Sequence, residues 1–187
     1  MVEGYERCFA ENPEKVKRLR HRIEHCVIVD QDLIDRMARM NICPVLHPGL
    51  IQMLGKNLAS FYGPERSRYL EAVRSMLDAG IKVSLHSDAP SGPVGIHVID
   101  AAVNRYDRSK DYQFDQTQCV SVQDAIRCYT LHPAYASYQE NIKGSIEVGK
   151  LADMIVLSDD ILKIAPMDIH KLKVDMTMID GIVEYER

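Results

Sequence analysis

RHRIEHCVIVDQDLIDRMARMNICPVL, residues 20–46, holds the pattern that predicts the fold. Residues 20–29 become continuously apolar towards their end, which is typical of a buried strand. Asp30 can then cap a helix that runs to Met40, because apolar side chains recur there at helical spacing. A second apolar strand is predicted at 42–46. This succession of strand, helix and strand favours an α/β fold with a parallel sheet covered by helices.

The same alternation continues along the chain. A loop is expected over 47–63, followed by a helix over 64–80 that begins at a proline and ends at a glycine. Residues 81–86 predict a third strand. Residues 87–95 are too rich in proline and glycine to continue that strand, and 96–106 predict a further helix.

The remaining segments predict a short N-terminal helix and C-terminal β structure. Residues 3–11 predict the helix, and Ser-Val-Gln-Asp at 121–124 is typical of a capping box that begins another. Strands are expected at 153–157, 174–179 and 182–185. An Asp-Gly pair joins the last two and predicts a hairpin.

The composition indicates an ordinary folded domain. The chain has 187 residues, of which 46% are hydrophobic and 27% charged, and this argues against disorder. A net charge of -4 with scattered basic residues gives no patch for nucleic acid. No apolar run approaches the ~20 residues of a membrane span and no signal peptide is recognisable, so a cytoplasmic location is expected. The five cysteines form no C-x-x-C pair and suggest neither disulfides nor a zinc knuckle.

Two strand ends carry candidate metal ligands. His25 lies near the end of the first predicted strand and Asp88 follows the third, and such ends meet at one rim of a parallel α/β barrel. A carboxylate there is costly to bury without a cation or hydrogen-bond donors. The residues alone leave other roles open, since His25 could be a hydrogen-bonded core histidine and Asp88 could accept backbone hydrogen bonds in a turn.

Two more histidines are expected near the same rim. His86 lies two residues before Asp88 and could hydrogen-bond that aspartate or a substrate, although packing would explain it equally well. His47 ends the second predicted strand. Strand alternation also places His21 on the same face as His25, so both could point into a barrel interior.

No other catalytic pattern competes with this one. The sequence contains no G-x-S-x-G elbow, no G-x-x-x-x-G-K-[ST] phosphate loop, no G-x-G-x-x-G and no H-E-x-x-H. The remaining histidines, His97, His132 and His170, fall in predicted helix or cap positions, which favours solvated or capping roles.

Four ordered motifs cover nearly the whole chain: RHRIEH at 20–25, GPER at 63–66 with LDAG at 77–80, SDAP at 87–90, and GSIEVGKLAD at 144–153. Together they resemble the amidohydrolase superfamily, in particular its branch of formamide-deformylating and exoenzyme-regulatory-like members. The resemblance implies a partial (β/α)8 TIM-type barrel over 1–142, about its last three strand-helix units. It further implies that 143–187 form the C-terminal strands of a small β-sandwich.

The resemblance also implies roles for the candidate residues. His25 is similar to the superfamily's histidine ligand after barrel strand six. Asp88 is similar to the aspartate after strand eight, which binds the metal and takes the proton of the attacking water. The expected cofactor is a divalent metal, zinc first, and the expected substrate is a small molecule with an amide-type bond. His86 and His47 are expected on the substrate side.

Several ligands of that superfamily have no counterpart here. It usually has an H-x-H pair after strand one, a lysine or other bridging ligand after strand four and a histidine after strand five. An eight-stranded barrel needs ~250 residues, so the chain is interpreted as the C-terminal part of an enzyme, with little activity and weak metal affinity by itself. The alternative is a non-catalytic half-barrel or interaction module, which would pair with another copy or with the missing N-terminal half.

Overall fold

A computed structural model describes residues 1–90, 95–107, 109 and 111–187. Its helices and strands follow in this order: α1 Val2–Glu11, α2 Pro13–Arg18, β1 Arg22–His25, α3 Gln31–Arg39, β2 Cys43–Leu46, α4 Gly49–Ser67, α5 Val73–Asp78, β3 Ser84–Leu85, α6 Ile96–Asn104, α7 Val122–Tyr129, α8 Leu131–Ala136, β4 Met154–Leu157, β5 Val174–Ile179 and β6 Ile182–Glu186. Short 3-10 helices at Gln116–Gln118 and Pro166–Lys171 lie in the connections. The α/β class predicted from the sequence is confirmed.

The first three strands form a parallel sheet in the order β1, β2, β3. In β1 and β2, Arg22 lies beside Cys43 and His25 lies beside Leu46. Leu46 in turn lies beside Leu85 of β3. Helix α3 connects the first two strands, and α4 and α5 connect the second to the third. Because all three strands run the same way, their carboxyl ends meet at one edge of the sheet.

The main core lies between this sheet and its helices. Its fully buried side chains include Ile34 and Met37 of α3, Leu46 of β2 and Met76 of α5. These apolar contacts hold α3 and α5 against the strands, and burying each such side chain contributes about 1.5–3 kcal/mol. The packing therefore fixes where the strand ends stand.

The first strand and the helix after it, β1 and α3, agree with the sequence prediction except in the length of the strand. Asp30 caps α3 by accepting a backbone N–H of the first turn at 2.9 Å, as predicted. Strand β1 is shorter than expected because His25 and Cys26 have left-handed backbone conformations, with φ of 64° and 40°. The apolar residues that follow leave the sheet, and Ile28 forms an isolated bridge with Leu70.

The prediction of a loop over 47–63 is wrong, since most of that segment belongs to helix α4. Ile51 and Gly55 lie on its buried face at helical spacing, but the glycines in the segment weaken the apolar pattern. Gly63, with φ of 78° and ψ of 168°, interrupts the helix. Pro64 therefore does begin a helical stretch, as predicted. The single helix expected over 64–80 is instead divided between the end of α4 and α5.

Helices α6 and α7 agree with the sequence prediction. Helix α6 ends at Asn104, and Arg105 after it has a left-handed φ of 51°. Ser121 caps α7 by accepting the Asp124 N–H at 3.0 Å. The loop expected over 87–95 includes 91–94, which lie outside the described residues. No helix in the described part of the chain is both long and apolar enough to cross a bilayer; the cytoplasmic location stays a prediction.

The last three strands form an antiparallel sheet in the order β4, β5, β6. The hairpin expected between β5 and β6 is confirmed, with its turn at Asp180 and Gly181. Both turn residues have positive φ, 51° and 79°, as a type I′ turn requires. Much of this sheet is open to solvent, and its exposed apolar side chains are Ile155, Val156, Ile179, Ile182, Val183 and Tyr185.

Candidate metal centre

The ends of the three parallel strands bring His25, His47, His86 and Asp88 into one cluster. Nε2 of His25 lies 4.0 Å from Oδ1 of Asp88. The ring of His86 neighbours both other imidazoles, with centroid distances of 4.9 Å to His25 and 5.1 Å to His47. The structure therefore places all four of the residues singled out in the sequence at one site.

Three of these side chains offer ligand atoms that are close enough to share one ion. A ring nitrogen of His25, a ring nitrogen of His47 and a carboxylate oxygen of Asp88 all lie within 4.8 Å of one another. Imidazole and carboxylate are preferred ligands of zinc and similar divalent ions. The donor set therefore fits such an ion, and the buried Nε2 of His47, which has no hydrogen-bond partner among the described residues, supports the fit.

His25 reaches the cluster from a backbone conformation that departs from the strand. It lies beside Leu46 in the sheet, and Leu46 packs into the core against the helices. Regular alternation would direct His25 towards that core as well. Its left-handed φ of 64° ends the alternation, and Asp88 is also left-handed, with φ of 52°. Both candidate ligands therefore occupy positions where regular structure stops.

His21 lies outside the cluster. Its ring stacks on Tyr5 of α1, with a centroid distance of 4.7 Å and an interplanar angle of 24°. Ile23, two residues further along, belongs to the core shared with the helices. The face that carries His21 and Ile23 is thus the helix-covered face, and the expectation that His21 lines an interior together with His25 is wrong.

His47 is the most buried side chain of the cluster, with only 2% of its surface exposed. Its backbone N–H donates to Oε2 of Glu71 at 2.9 Å. Burial lowers the pKa of His47 below its usual value, and the nearby His86 and His25 lower it further, while Asp88 opposes them. The imidazole is therefore held neutral near pH 7, which is the form that binds a metal.

His86 is tied to Asp88 by a local hydrogen bond. Its Nδ1 accepts the backbone N–H of Asp88 at 3.1 Å, so the proton of a neutral ring sits on Nε2. That Nε2 is buried and has no hydrogen-bond partner among the described residues. Burial lowers the pKa of His86, with a smaller contribution from His25. His86 can thus donate one hydrogen bond towards a bound molecule.

Glu71 is a buried acid at this site that the sequence reasoning missed. Its side chain is fully buried, and Oε1 has no hydrogen-bond partner among the described residues. Burial raises the pKa of the carboxyl to about 8, against the opposing effects of the His47 N–H and Arg105. The sequence does contain one indication of this residue, a single acid within the apolar residues 70–73. Burying such a carboxyl is costly unless it has hydrogen-bond partners.

Arg105 holds the segment that carries Glu71. Its buried guanidinium donates from Nη1 to the carbonyl oxygen of Glu71 at 3.0 Å and from Nη2 to that of Leu70 at 2.8 Å. Nε donates to the carbonyl oxygen of Asp115 at 3.1 Å. Burial lowers the pKa of Arg105 to about 10. These bonds fix the backbone on which the His47 contact depends.

Comparison with known families gives this cluster a context. Residues 1–185 match the amidohydrolase family. The chain belongs to the amidohydrolase family. Because the match covers nearly every residue of the chain, the cluster at the strand ends and the antiparallel sheet both lie within the matched region.

Two curated relatives of this amidohydrolase chain are similar to most of its length. The N-substituted formamide deformylase of Arthrobacter pascens is 36% identical over 168 residues, which are 89% of this chain and 31% of that protein. The amidohydrolase YtcJ of Bacillus subtilis is 33% identical over 175 residues, which are 91% and 33%. The chain thus spans about a third of the length of these relatives.

A solved structure with a similar fold is an uncharacterized metal-dependent hydrolase from Pyrococcus horikoshii. It aligns with a TM-score of 0.66 and 25% identity, over 78% of this amidohydrolase chain and 30% of that one. The fold is therefore similar to that of a metal-dependent hydrolase, and the chain corresponds to one part of it.

Proposed function

We propose that the chain is the C-terminal portion of a metal-dependent amidohydrolase that hydrolyses an amide-type C–N bond in a small molecule. The observation that carries the proposal is the convergence of His25, His47 and Asp88 within 4.8 Å at the ends of three neighbouring parallel strands. Hydrolases of the barrel type place their catalytic residues at this end of the sheet. The family match supports the same class of reaction.

The proposal includes a more detailed architecture. Residues 1–142 would supply the last three strand-helix units of a (β/α)8 barrel, and 143–187 the C-terminal strands of a β-sandwich. In support, the three parallel strands are neighbours in chain order and are separated by helices. A closed barrel of this kind needs ~250 residues, so the other strands would come from sequence outside these 187 residues.

In the proposed mechanism, His25 and Asp88 hold a divalent ion, and we propose zinc because imidazole and carboxylate suit it. When bound, such an ion acidifies water and polarises a carbonyl group. Asp88 takes the proton of the attacking water and passes it to the leaving nitrogen. His86 and His47 border the ligands, and His86 can donate from Nε2 to the substrate carbonyl.

The isolated chain is expected to have little hydrolase activity, because the remaining ligands and most substrate-binding loops would lie outside it. The test is to supply the N-terminal segment of the full-length protein and to measure hydrolysis of a panel of amides. N-substituted formamides belong in the panel because the Arthrobacter pascens relative is named N-substituted formamide deformylase. Turnover is expected only when both parts are present.

Two variants sharpen this test. Asp88→Asn keeps the size of the side chain but removes the base, so the complemented enzyme should lose about 10²-fold or more of its turnover. His21→Gln, at the residue before β1, is the matched control and should retain turnover. Full turnover in Asp88→Asn would contradict the role assigned to Asp88.

A second candidate function is a non-catalytic half-barrel that pairs with another chain or with a second copy. The apolar side chains left exposed on β4, β5 and β6 favour it, because such a face is usually covered by a partner. The same complementation experiment separates the two functions. A stable complex without turnover on any amide would support the interaction module, whereas turnover would support the enzyme.

A further inference from the structure

We infer that His47 is a third metal ligand, so that this chain by itself holds a two-histidine, one-carboxylate site for a divalent transition-metal ion. The inference deepens the proposed function and rests on it, since it moves His47 from the substrate side to the metal. It also changes the expected behaviour of the isolated chain, because three protein ligands retain an ion far better than two.

The first support is the state of the His47 ring. The side chain is only 2% exposed, and its Nε2 has no hydrogen-bond partner among the described residues. A buried imidazole nitrogen without a partner loses its hydration and gains nothing in return, which is unfavourable. Coordination of an ion would supply the missing partner. Nε2 of His86 is in the same state, so it is the position of His47 that distinguishes the two rings.

The second support is the position of His47 relative to the two expected ligands. It follows β2, the central strand of the parallel sheet, while His25 ends β1 and Asp88 follows β3. The ligand atoms of all three side chains lie within 4.8 Å of one another. His47 is therefore flanked on both sides by a donor that would share the same ion.

The third support is that the backbone of His47 is fixed before any ion binds. Its N–H donates to Oε2 of the fully buried Glu71 at 2.9 Å. Partners behind a ligand orient it, and losing them commonly weakens metal binding by about 10–100-fold. Glu71 is therefore a positioning residue for the site and not a ligand.

His86 differs from His47 although the two rings are neighbours. Its Nδ1 is already occupied by the Asp88 N–H at 3.1 Å, and no ligand atom of His86 belongs to the close group. His86 thus remains on the substrate side.

The test uses the metal alone. The 187-residue chain, freed of metal with a chelator, is titrated with Co²⁺ while the visible absorption bands of the bound ion are recorded. We expect saturation at one ion per chain. His47→Gln and His25→Gln should each weaken binding by about 100-fold or more, which exceeds the usual effect of losing a ligand's outer partner. His21→Gln, which lies outside the cluster, should bind as the unmodified chain does.

A second readout counts the histidines that touch the ion. Coordinated imidazoles show strongly shifted, exchangeable N–H resonances in the proton NMR spectrum of a Co²⁺ protein, and we expect two such resonances, of which His47→Gln removes one. The number of shifted resonances from the unmodified chain remains informative even if His47→Gln fails to fold. Circular dichroism would reveal such a failure. One resonance only, unchanged affinity in His47→Gln, or no binding at all by the unmodified chain would each overturn the inference.

These outcomes are distinct from failure of the proposed function. If His47 is only a substrate contact, the complemented enzyme carrying His47→Gln keeps its metal and its hydrolase activity with a raised KM. If the chain binds Co²⁺ through two histidines but the complemented enzyme hydrolyses no amide, the ligand assignment stands and the proposed reaction is wrong.

Discussion

Burial of Glu71 makes the stability of the folded chain depend on pH. In the unfolded chain its carboxyl titrates near the ordinary value of 4.5, whereas burial in the folded chain raises the pKa to about 8. Between these two values the folded state holds a proton that the unfolded state has released. The free energy of unfolding therefore falls as pH rises from about 4.5 to about 8, and the stabilisation is fully present only below that window.

Glu71→Gln should remove this pH dependence, because the amide stays neutral and still accepts the His47 N–H. Each unit of pKa shift corresponds to about 1.4 kcal/mol, so the unmodified chain should lose several kcal/mol across the window. Urea unfolding of the metal-free chain between pH 5 and 9 measures both slopes. Glu65→Gln, at an exposed position of α4, is the control and should keep the original slope. Equal slopes for Glu71→Gln and the unmodified chain would refute the prediction.

At the residue scale, the sequence was sufficient to single out the members of the cluster but not their geometry. His25 and Asp88 could be singled out because polar side chains at apolar strand ends are unusual and the motifs around them resemble those of a family. The left-handed conformation at His25 could not be found, since φ at a non-glycine residue is decided by the packing around it. Glu71 was missed because its partner is a backbone N–H, which has no sequence signature.

Helix α4 depends on a close approach to Phe114. A Cβ added at Gly55 would overlap the buried Phe114 ring, so the ring or the helix would have to move. Gly55→Ala should therefore destabilise the chain by about 1–3 kcal/mol, although alanine favours a helix. Thermal unfolding measures the change.

Gly4→Ala is the matched control for this substitution. Gly4 also lies inside a helix, α1, but an added Cβ meets nothing within 4 Å. Here the helix preference acts alone and should stabilise the chain by about 0.5–1 kcal/mol. Effects of the same sign at Gly4 and Gly55 would show that contact with Phe114 does not limit α4.

Helix α3 depends on its N-terminal cap. Asp30 accepts a backbone N–H of the first turn at 2.9 Å, so Asp30→Ala should lower the free energy of unfolding by about 1 kcal/mol. Asp35→Ala on the exposed face of the same helix removes only a hydrogen bond with Gln31 and should change it by less than about 0.5 kcal/mol. Chemical denaturation distinguishes the two, and a larger loss for Asp35→Ala would contradict the role of the cap.

At the scale of elements, prediction succeeded where a cap and an apolar stripe agreed and failed where they did not. Asp30 and the stripe of α3 gave that helix almost to the residue. Helix α4 was hidden because its buried face includes Gly55, whose space is filled by Phe114 from far along the chain. A contact of that kind cannot be read from a local window.

For the whole molecule, the antiparallel sheet is the part most in need of a covering layer. Apolar side chains are exposed in both outer strands, with Ile155 at 53% in β4 and Ile182 at 63% in β6. Ile155→Lys together with Ile182→Lys should therefore weaken self-association of the chain. Sedimentation over a range of concentrations measures this.

Val148→Lys is the control for that experiment. Val148 is fully exposed in the turn segment before β4 and lies outside the sheet, so its substitution should leave association unchanged. Equal effects of Val148→Lys and of the double variant would show that added charge, and not the sheet surface, governs association.

At this largest scale, the sequence predicted the α/β class and the change of character near residue 143. The hairpin could be predicted because Asp180 and Gly181 suit a turn that needs positive φ at both positions. The exposure of the sheet could not, since alternating apolar residues look the same whether or not a second layer covers them.

The order of the parallel strands has a consequence for how the metal centre forms. His25, His47 and Asp88 all come from the first half of the chain and follow strands that are neighbours both in sequence and in space. The free energy needed to close the two intervening loops rises only slowly with their length, and short-range contacts tend to form first during folding. The β5–β6 hairpin, whose strands are joined by Asp180 and Gly181, should thus form ahead of the candidate ligand cluster, whose strands pair Arg22 with Cys43 and Val45 with Ser84. An ion present at the start of refolding would therefore meet its three candidate ligands together only after the parallel strands have paired, and it should leave the rate of hairpin formation unchanged.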